Sequence, residues 1–205
     1  HFHPAACRLK ELIAAGALGQ VLYLHWHIGT YVTLINSVSR HQAHVTGALL
    51  MDYAHQPDLL YWWLGKVPTS VYAAGFQGGD LELSSNPNVL ALTLEYAEPL
   101  LATIHLNYVQ HPQRAGCEVV GDRGWAYLDL DHHRLTRGQA ADAARTEETF
   151  TLERDEMFVA EHQAFFEAIE GRRPPESPAE EAIISQRIIE AALASWRQHR
   201  PVALA

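Results

Sequence analysis

The sequence predicts an α+β domain in which a largely antiparallel, mixed sheet carries its helices on one face. Two observations lead to this fold class. Helical periodicity occurs near both ends of the chain, whereas residues 70–152 consist of short runs rich in Val, Thr, Tyr and Leu. Turn residues separate these runs, so the connections are short enough to imply hairpins. Helices and strands that segregate along a chain are typical of the α+β class.

Three elements precede the strand-rich region. Residues 4–15 place apolar side chains at helical spacing after Pro4, which predicts a helix. Residues 21–28 alternate between an aliphatic face and a mixed face, which predicts a strand in the sheet. Residues 48–64 are apolar nearly all round and are followed by Gly65, which predicts one buried helix with a glycine stop.

The strand-rich region is expected to contribute five or six hairpin strands, followed by two helices. Small and polar residues at 139–144 predict a loop, and helical periodicity then returns at 155–170 and at 178–199. The predicted strands are 70–76, 89–96, 100–109, 117–120, 125–130 and 149–152.

Large aromatic side chains on the helices are expected to belong to the core. They are Trp62, Trp63, Phe165, Phe166 and Trp196. If helices cover one face of the sheet, the other face exposes Tyr, Leu and Val over several strands, and a patch of that size usually marks an interface.

The composition limits the kind of partner. The chain has 205 residues, of which 15 are basic and 24 acidic, and its formal net charge of -9 argues against binding nucleic acid or an anionic membrane surface. The length suits one domain. Cys7 and Cys117 form no CxxC pattern, and no apolar run approaches the roughly 20 residues that span a bilayer. We expect a cytoplasmic protein that binds a small molecule and neither nucleic acid nor membrane.

The most informative polar cluster lies inside the predicted buried helix. Asp52, His55 and Asp58 follow one another at intervals of three residues, so on a helix they share a face. A carboxylate can fix the tautomer of the imidazole while its other nitrogen meets a ligand, which is a general acid/base arrangement. A buried Asp/His pair that only pins the helix is an equally good interpretation.

Other polar residues have weaker claims. Arg40 precedes the predicted buried helix, and His111 and Arg114 follow a predicted strand, so all three could border a substrate pocket or simply be solvated. His25 and His27 point the same way on a strand and could share a metal ion only if further ligands converge. The sequence gives no sign of such ligands, and we expect no metal site.

No segment offers a nucleotide-binding turn. Gly75, Gly78 and Gly79 lack both the spacing of a glycine-rich phosphate loop and the helix that must follow it. We therefore expect this chain to have no dinucleotide site of its own.

Five segments together resemble a known family. They are 3–19, 47–65, 121–124 with Asp129, 161–169 and 190–195. In this order and at these spacings they resemble the C-terminal domain of the Gfo/Idh/MocA oxidoreductases, named for glucose/fructose oxidoreductase and inositol dehydrogenase. The resemblance covers nearly the whole chain.

The resemblance implies a dihydrodipicolinate reductase-like fold over residues 1–205, a single domain for substrate binding and oligomerisation. It implies that a Rossmann domain, which binds NAD or NADP and carries a lysine in a Glu-Lys-Pro motif, lies upstream of these residues. The family's aspartate and histidine map onto Asp52 and His55, although many members space that pair by four residues and have a glycine run at 46–48. It also implies homodimers or homotetramers built on the uncovered sheet face.

The leading hypothesis is an oxidoreductase that transfers hydride between NAD(P) and a secondary alcohol or ketone of a sugar, cyclitol or related polyol. His55 would handle the hydroxyl proton, Asp52 would orient it, and the fragment alone would be inactive. Two alternatives stay open. The chain could be a non-catalytic sugar-binding or oligomerisation module, or a metal-dependent isomerase or hydrolase built on its histidines.

Overall fold

A computed structural model describes residues 1–31, 46–79, 81, 85–153 and 155–204 of the chain. Its helices follow the predicted order, with one division. They are α1 (Pro4–Ala14), α2 (Ala48–Asp52), α3 (His55–Leu64), α4 (Glu156–Ile169) and α5 (Ala179–Gln198).

The strands of the described residues form one nine-stranded sheet in the order β8-β7-β6-β5-β1-β4-β3-β2-β9. β1 and β4 run parallel and every other neighbouring pair is antiparallel, which confirms the largely antiparallel, mixed sheet. The strands are β1 (Val21–Gly29), β2 (Ser70–Phe76), β3 (Val89–Glu95), β4 (Leu101–Asn107), β5 (Arg114–Gly121), β6 (Gly124–Asp129), β7 (Arg134–Gln139), β8 (Arg145–Thr149) and β9 (Val202–Ala203).

Two strands were not predicted and one was misplaced. β7 has a single buried apolar residue, Leu135, and β9 has two residues, so neither shows the alternation by which a strand is recognised. The strand expected at 149–152 lies earlier, at β8, where the edge of the sheet tolerates polar side chains.

The core lies between the sheet and the helices. Alternate residues of the central strands point into it, and Trp26 of β1 stacks on Trp63 of α3 with ring centroids 5.4 Å apart. The Trp63 indole donates a hydrogen bond of 3.1 Å to the carbonyl of Ala6 in α1. This aromatic pair ties two helices to the middle strand of the sheet.

Helix α5 also protects the edge of the sheet. β9 pairs only with the first residues of β2. Beyond that point Ser195 accepts a hydrogen bond of 2.9 Å from the Ala73 amide, and Trp196 donates one of 3.0 Å to the Gly75 carbonyl. Side chains of one helix therefore satisfy two of the backbone groups of β2 that lie beyond the pairing with β9.

The prediction that every large aromatic residue on the helices belongs to the core is wrong for α4. Phe165 is 60 % exposed and Phe166 is 56 % exposed, while Trp63 is buried and Trp62 and Trp196 pack against the core. Ala164 is the one buried residue of α4. The described residues therefore leave the apolar stripe of α4 largely uncovered.

The second face of the sheet, here called the open face, carries the opposite set of alternating side chains. In the described part of the chain no helix covers it. Its central members are Tyr23, His25, His27, Thr103, His105, Glu118 and Tyr127.

Candidate functional site

The predicted single helix over 48–64 is divided at Tyr53 and Ala54. Pro57 has no amide proton to donate to the Tyr53 carbonyl, and its ring would crowd that carbonyl in a continuous helix. The Tyr53 carbonyl instead accepts a hydrogen bond of 3.2 Å from the Gln56 amide. Asp52 therefore ends α2 while His55 begins α3, and the simple three-residue spacing on one helix does not apply.

A cavity of about 800 Å³ lies between the start of α3, the N-terminal residues and α4. Apolar side chains such as Phe2, Leu59 and Met157 form part of its wall. Its ionisable side chains are His1, His3, His55, Asp58, Glu161 and Glu176. A mainly apolar hollow with a few convergent polar groups suits a small polar molecule.

His55 has the properties of a proton acceptor. Loss of surrounding water lowers the pKa of its imidazole, and the charges of Asp58 and Asp52 partly oppose this shift. The side chain nevertheless stays exposed where it lines the cavity, with its ring edge-on to Tyr53 at 6.0 Å. A lowered pKa keeps the imidazole neutral at neutral pH, which is the form that accepts a proton.

Asp58 holds a second imidazole in the same cavity. Its Oδ2 lies 2.9 Å from Nε2 of His1, whose ring stacks on Trp62 at 4.4 Å between centroids. The other carboxylate oxygen of Asp58 accepts a hydrogen bond of 3.3 Å from Ser185 of α5. Asp58 is thus positioned from two sides.

Asp52 is held by the sheet. The buried Tyr108, just beyond β4, donates a short hydrogen bond to Asp52 Oδ2. Desolvation and this carboxylate together raise the pKa of Tyr108 well above its usual range, so the phenol stays protonated as a donor. Asp52 lies outside the cavity lining, and its expected role in orienting His55 stays a prediction.

His3 stays neutral mainly for the same reason as His55, which is burial. Burial, with the neighbouring His133 second, lowers the pKa of His3 to about 4. Its Nε2 lies 3.1 Å from Nδ1 of His133. The cavity therefore contains a second imidazole that does not charge near neutral pH.

The three predicted substrate-binding residues are not gathered at this cavity. Arg40 lies outside the described residues. His111 is exposed with its ring edge-on to Tyr31 at 6.2 Å, and Arg114 borders a groove on the open face. Their predicted contact with substrate stays a prediction.

The described residues show no dinucleotide-binding unit. In the described part of the chain no glycine-rich turn leads from β1 or β4 into a helix, and α2, which follows Gly47, has only five residues. Within the described ranges no three His, Cys, Asp or Glu side chains assemble as a metal site. No described helix is long and apolar enough to cross a membrane.

Sequence reasoning missed two members of the site. His1 meets Asp58 across 57 positions of the chain, and Tyr108 meets Asp52 across 56. Neither pair has a local pattern, because strand order and helix packing bring them together.

Comparisons with known proteins agree with the fold. Residues 10–204 match the model of the C-terminal alpha/beta domain of the GFO_IDH_MocA oxidoreductase family. YteT of Bacillus subtilis (strain 168), an oxidoreductase by its name, is 31% identical over 93 residues, which are 42% of this chain and 22% of YteT.

Solved structures of low identity share the fold. An oxidoreductase from Agrobacterium radiobacter in complex with NAD+, L-tartaric acid and magnesium is 14% identical with a TM-score of 0.85, covering 99% of this chain and 62% of its own. Aldose-aldose oxidoreductase from Caulobacter crescentus, complexed with glycerol, is 19% identical with a TM-score of 0.82, and the match covers 99% of this chain and 61% of the other. Myo-inositol 2-dehydrogenase from Lactobacillus plantarum is 17% identical with a TM-score of 0.76, and the match covers 98% of this chain and 62% of the other. The chain therefore spans about three fifths of the length of these structures.

Proposed function

This chain belongs to the Gfo/Idh/MocA oxidoreductase family as its C-terminal alpha/beta domain, and on that premise we propose that it forms the substrate side of an NAD(P)-dependent oxidoreductase. The substrate would be a sugar, cyclitol or related polyol with a secondary hydroxyl or its ketone. The observation that carries this proposal is the cavity in which the neutral His55 stands beside Asp58.

In the proposed reaction the substrate carbon loses a hydride and its hydroxyl loses a proton. The proton passes to the neutral imidazole of His55, which returns it in the reverse direction. The carboxylates of Asp58 and Asp52 favour the imidazolium that forms, because both act to raise the pKa of His55. The hydrogen bond from Tyr108 positions the Asp52 carboxylate for this electrostatic role.

The hydride acceptor, NAD or NADP, would be bound by a separate upstream Rossmann domain. Two features support the proposal that a separate domain binds the cofactor. The described residues lack a dinucleotide-binding unit, and α4 beside the cavity exposes an apolar stripe suited to contact with another domain. The isolated chain would then be inactive.

The proposal includes self-association through the open face, as a dimer or tetramer. That face exposes Tyr72, Phe76, Leu101 and Tyr127, each at least 39% accessible. Apolar and aromatic side chains spread over several strands of an uncovered sheet are typical of an interface.

The role of His55 is tested in the intact protein by His55→Asn, which keeps much of the size and hydrogen bonding of the imidazole. A substrate is first identified by screening sugars, cyclitols and polyols with NAD or NADP, and turnover is followed by the absorbance of the reduced nicotinamide. Loss of a general acid/base residue is expected to lower kcat by about 10² to 10⁴-fold. The melting temperature should change little, because the side chain is exposed.

His199→Asn is a suitable control. His199 ends α5 with a φ of 53°, a conformation that asparagine adopts readily, and lies outside the cavity lining. It should preserve kcat. A His55→Asn enzyme with unchanged kcat and a depressed melting temperature would contradict the catalytic role.

A further inference from the structure

The middle of the open face is a row of histidines. β1 is the fifth of nine strands, and it presents His25 and His27 on this face, while β4 presents His105 directly beside His27. The rings of His27 and His105 are parallel within 5° and 5.0 Å apart. This histidine row therefore stands where two sheets stacked face to face would meet.

Polar partners fix the orientation of two of the rings. His25 Nδ1 lies 2.8 Å from the hydroxyl of Thr103, and His27 Nε2 lies 2.6 Å from Oε1 of Gln110. Tyr23 stacks parallel to His25 at 6.4 Å. Ring stacking and these polar contacts therefore hold the side chains of the histidine row in place.

The open face has the size of a subunit interface. Six strands about 4.8 Å apart and seven residues long, at about 3.3 Å per residue, cover roughly 550 Å² in projection. The side chains that stand on this area bring its accessible surface to the order of the ~800 Å² per partner that a stable dimer buries. A second copy of this chain, related by a two-fold axis near β1, would present the same histidines to the row.

We propose that the histidine row is a pH-dependent switch for self-association of this chain, holding two copies together when neutral and separating them when protonated. This proposal rests on the self-association through the open face that was proposed above. Protonation of His25 and His105 in each copy would place four positive charges in a layer from which water has been removed.

The sign of the pH dependence follows from linkage. Burial, with His27 second, already lowers the pKa of His25, and burial followed by His27 and His25 lowers that of His105. A second copy would remove more water and lower both pKa values further. The separated chain then binds protons more tightly than the pair, so association weakens as the pH falls through and below the ordinary histidine range.

Acidic groups near the row act in the opposite direction. Glu118 on β5 stands beside His25 and acts to raise its pKa, less strongly than burial lowers it. The other ionisable groups that face the row from the adjoining groove are Arg114, Tyr127, Asp129, Asp131 and His132. Asp129 is already paired with His132 and Arg134, so it is poorly placed to neutralise the row.

Sedimentation equilibrium of the chain at about pH 8 and about pH 5.5, at constant ionic strength, tests the switch. Each proton taken up on separation multiplies the dissociation constant by up to about ten per pH unit. We expect that constant to rise at least about ten-fold between the two conditions. The triple variant His25→Gln/His27→Gln/His105→Gln should lose most of this rise, whereas His162→Gln on α4 should keep it.

A fixed charge provides a second test that does not depend on the triple variant folding. Ala91 is an exposed neighbour of His105 on β3. Ala91→Arg should imitate the protonated row and raise the dissociation constant at least about ten-fold at pH 8, with circular dichroism confirming the fold.

The outcomes separate the two proposals. A chain that is monomeric at every pH contradicts self-association itself, and the switch with it. A chain that associates equally at both pH values, or whose pH dependence survives in the triple variant, contradicts the switch alone.

Discussion

Helices α4 and α5 follow one another in the chain, yet they relate to the sheet in opposite ways. α5 buries six residues, among them Ile188 and Ser195, against β2 and α3. α4 buries one, Ala164, and exposes five large apolar side chains, namely Phe158, Val159, Phe165, Phe166 and Ile169. An apolar stripe in a sequence therefore identifies a helix surface that favours burial, but it does not identify what buries that surface.

The contrast has an energetic meaning. A helix contributes to the stability of its own domain mainly through the apolar area that it removes from water. α5 buries apolar area against other elements of this chain. The described residues bury little of the apolar face of α4, so that face is available to a partner.

The largest effect is expected at Ile188, which is 1% exposed on α5. Ile188→Ala removes buried methyl groups and leaves a cavity, so the free energy of unfolding should fall by about 2–5 kcal/mol. Urea denaturation of the chain measures it.

Ile169→Ala on α4 is the matched variant, because the same side chain is 66% exposed there. It should change the free energy of unfolding by less than about 0.5 kcal/mol. Equal losses at the two positions would contradict the contrast between α4 and α5 and show that α4 is packed in solution.

Sequence alone could predict the extents of these helices and not their difference. Predicted at 155–170 and 178–199, they are observed at Glu156–Ile169 and Ala179–Gln198. Periodicity is a local property, whereas burial depends on what stands opposite. The break before α3 did have a local signal, since Pro57 cannot donate to the Tyr53 carbonyl.

The site divides in the same way. His55 and Asp58 were found because an imidazole and carboxylates inside an apolar segment are conspicuous in a sequence. Tyr108 and His1 were missed, because an ordinary tyrosine and an N-terminal histidine gain their meaning only from long-range packing.

A smaller effect should come from the polar contact between α5 and the sheet edge. Ser195 is fully buried, accepts from the Ala73 amide and donates a hydrogen bond of 2.6 Å to the Arg200 carbonyl. Ser195→Ala leaves the Ala73 amide without this hydrogen-bond acceptor, which should lower the free energy of unfolding by about 1–3 kcal/mol.

Ser185→Ala on the same helix is the control for that loss. Among the described residues its hydroxyl donates one hydrogen bond of 3.3 Å, to Asp58, whose carboxylate also faces His1. The loss should be smaller than at Ser195. A Ser195→Ala chain as stable as the parent would mean that apolar burial alone holds α5 on β2.

The smallest effect in this chain is expected on α4 itself. Phe166 is 56% exposed, and serine has a similar helix propensity, so Phe166→Ser should leave the free energy of unfolding of the isolated chain within about 0.5 kcal/mol of the parent. In the intact protein the same change should cost about 2 kcal/mol if the upstream domain covers α4, because burying a phenylalanine contributes that order of free energy. The measurement is a pair of urea titrations, one on the isolated chain and one on the intact protein, each against its own parent. A loss confined to the intact protein would support the proposal that α4 contacts the upstream domain. Equal small changes in both proteins would mean that α4 is uncovered in the intact protein as well. The apolar stripe of α4 would then no longer support a contact with the upstream domain.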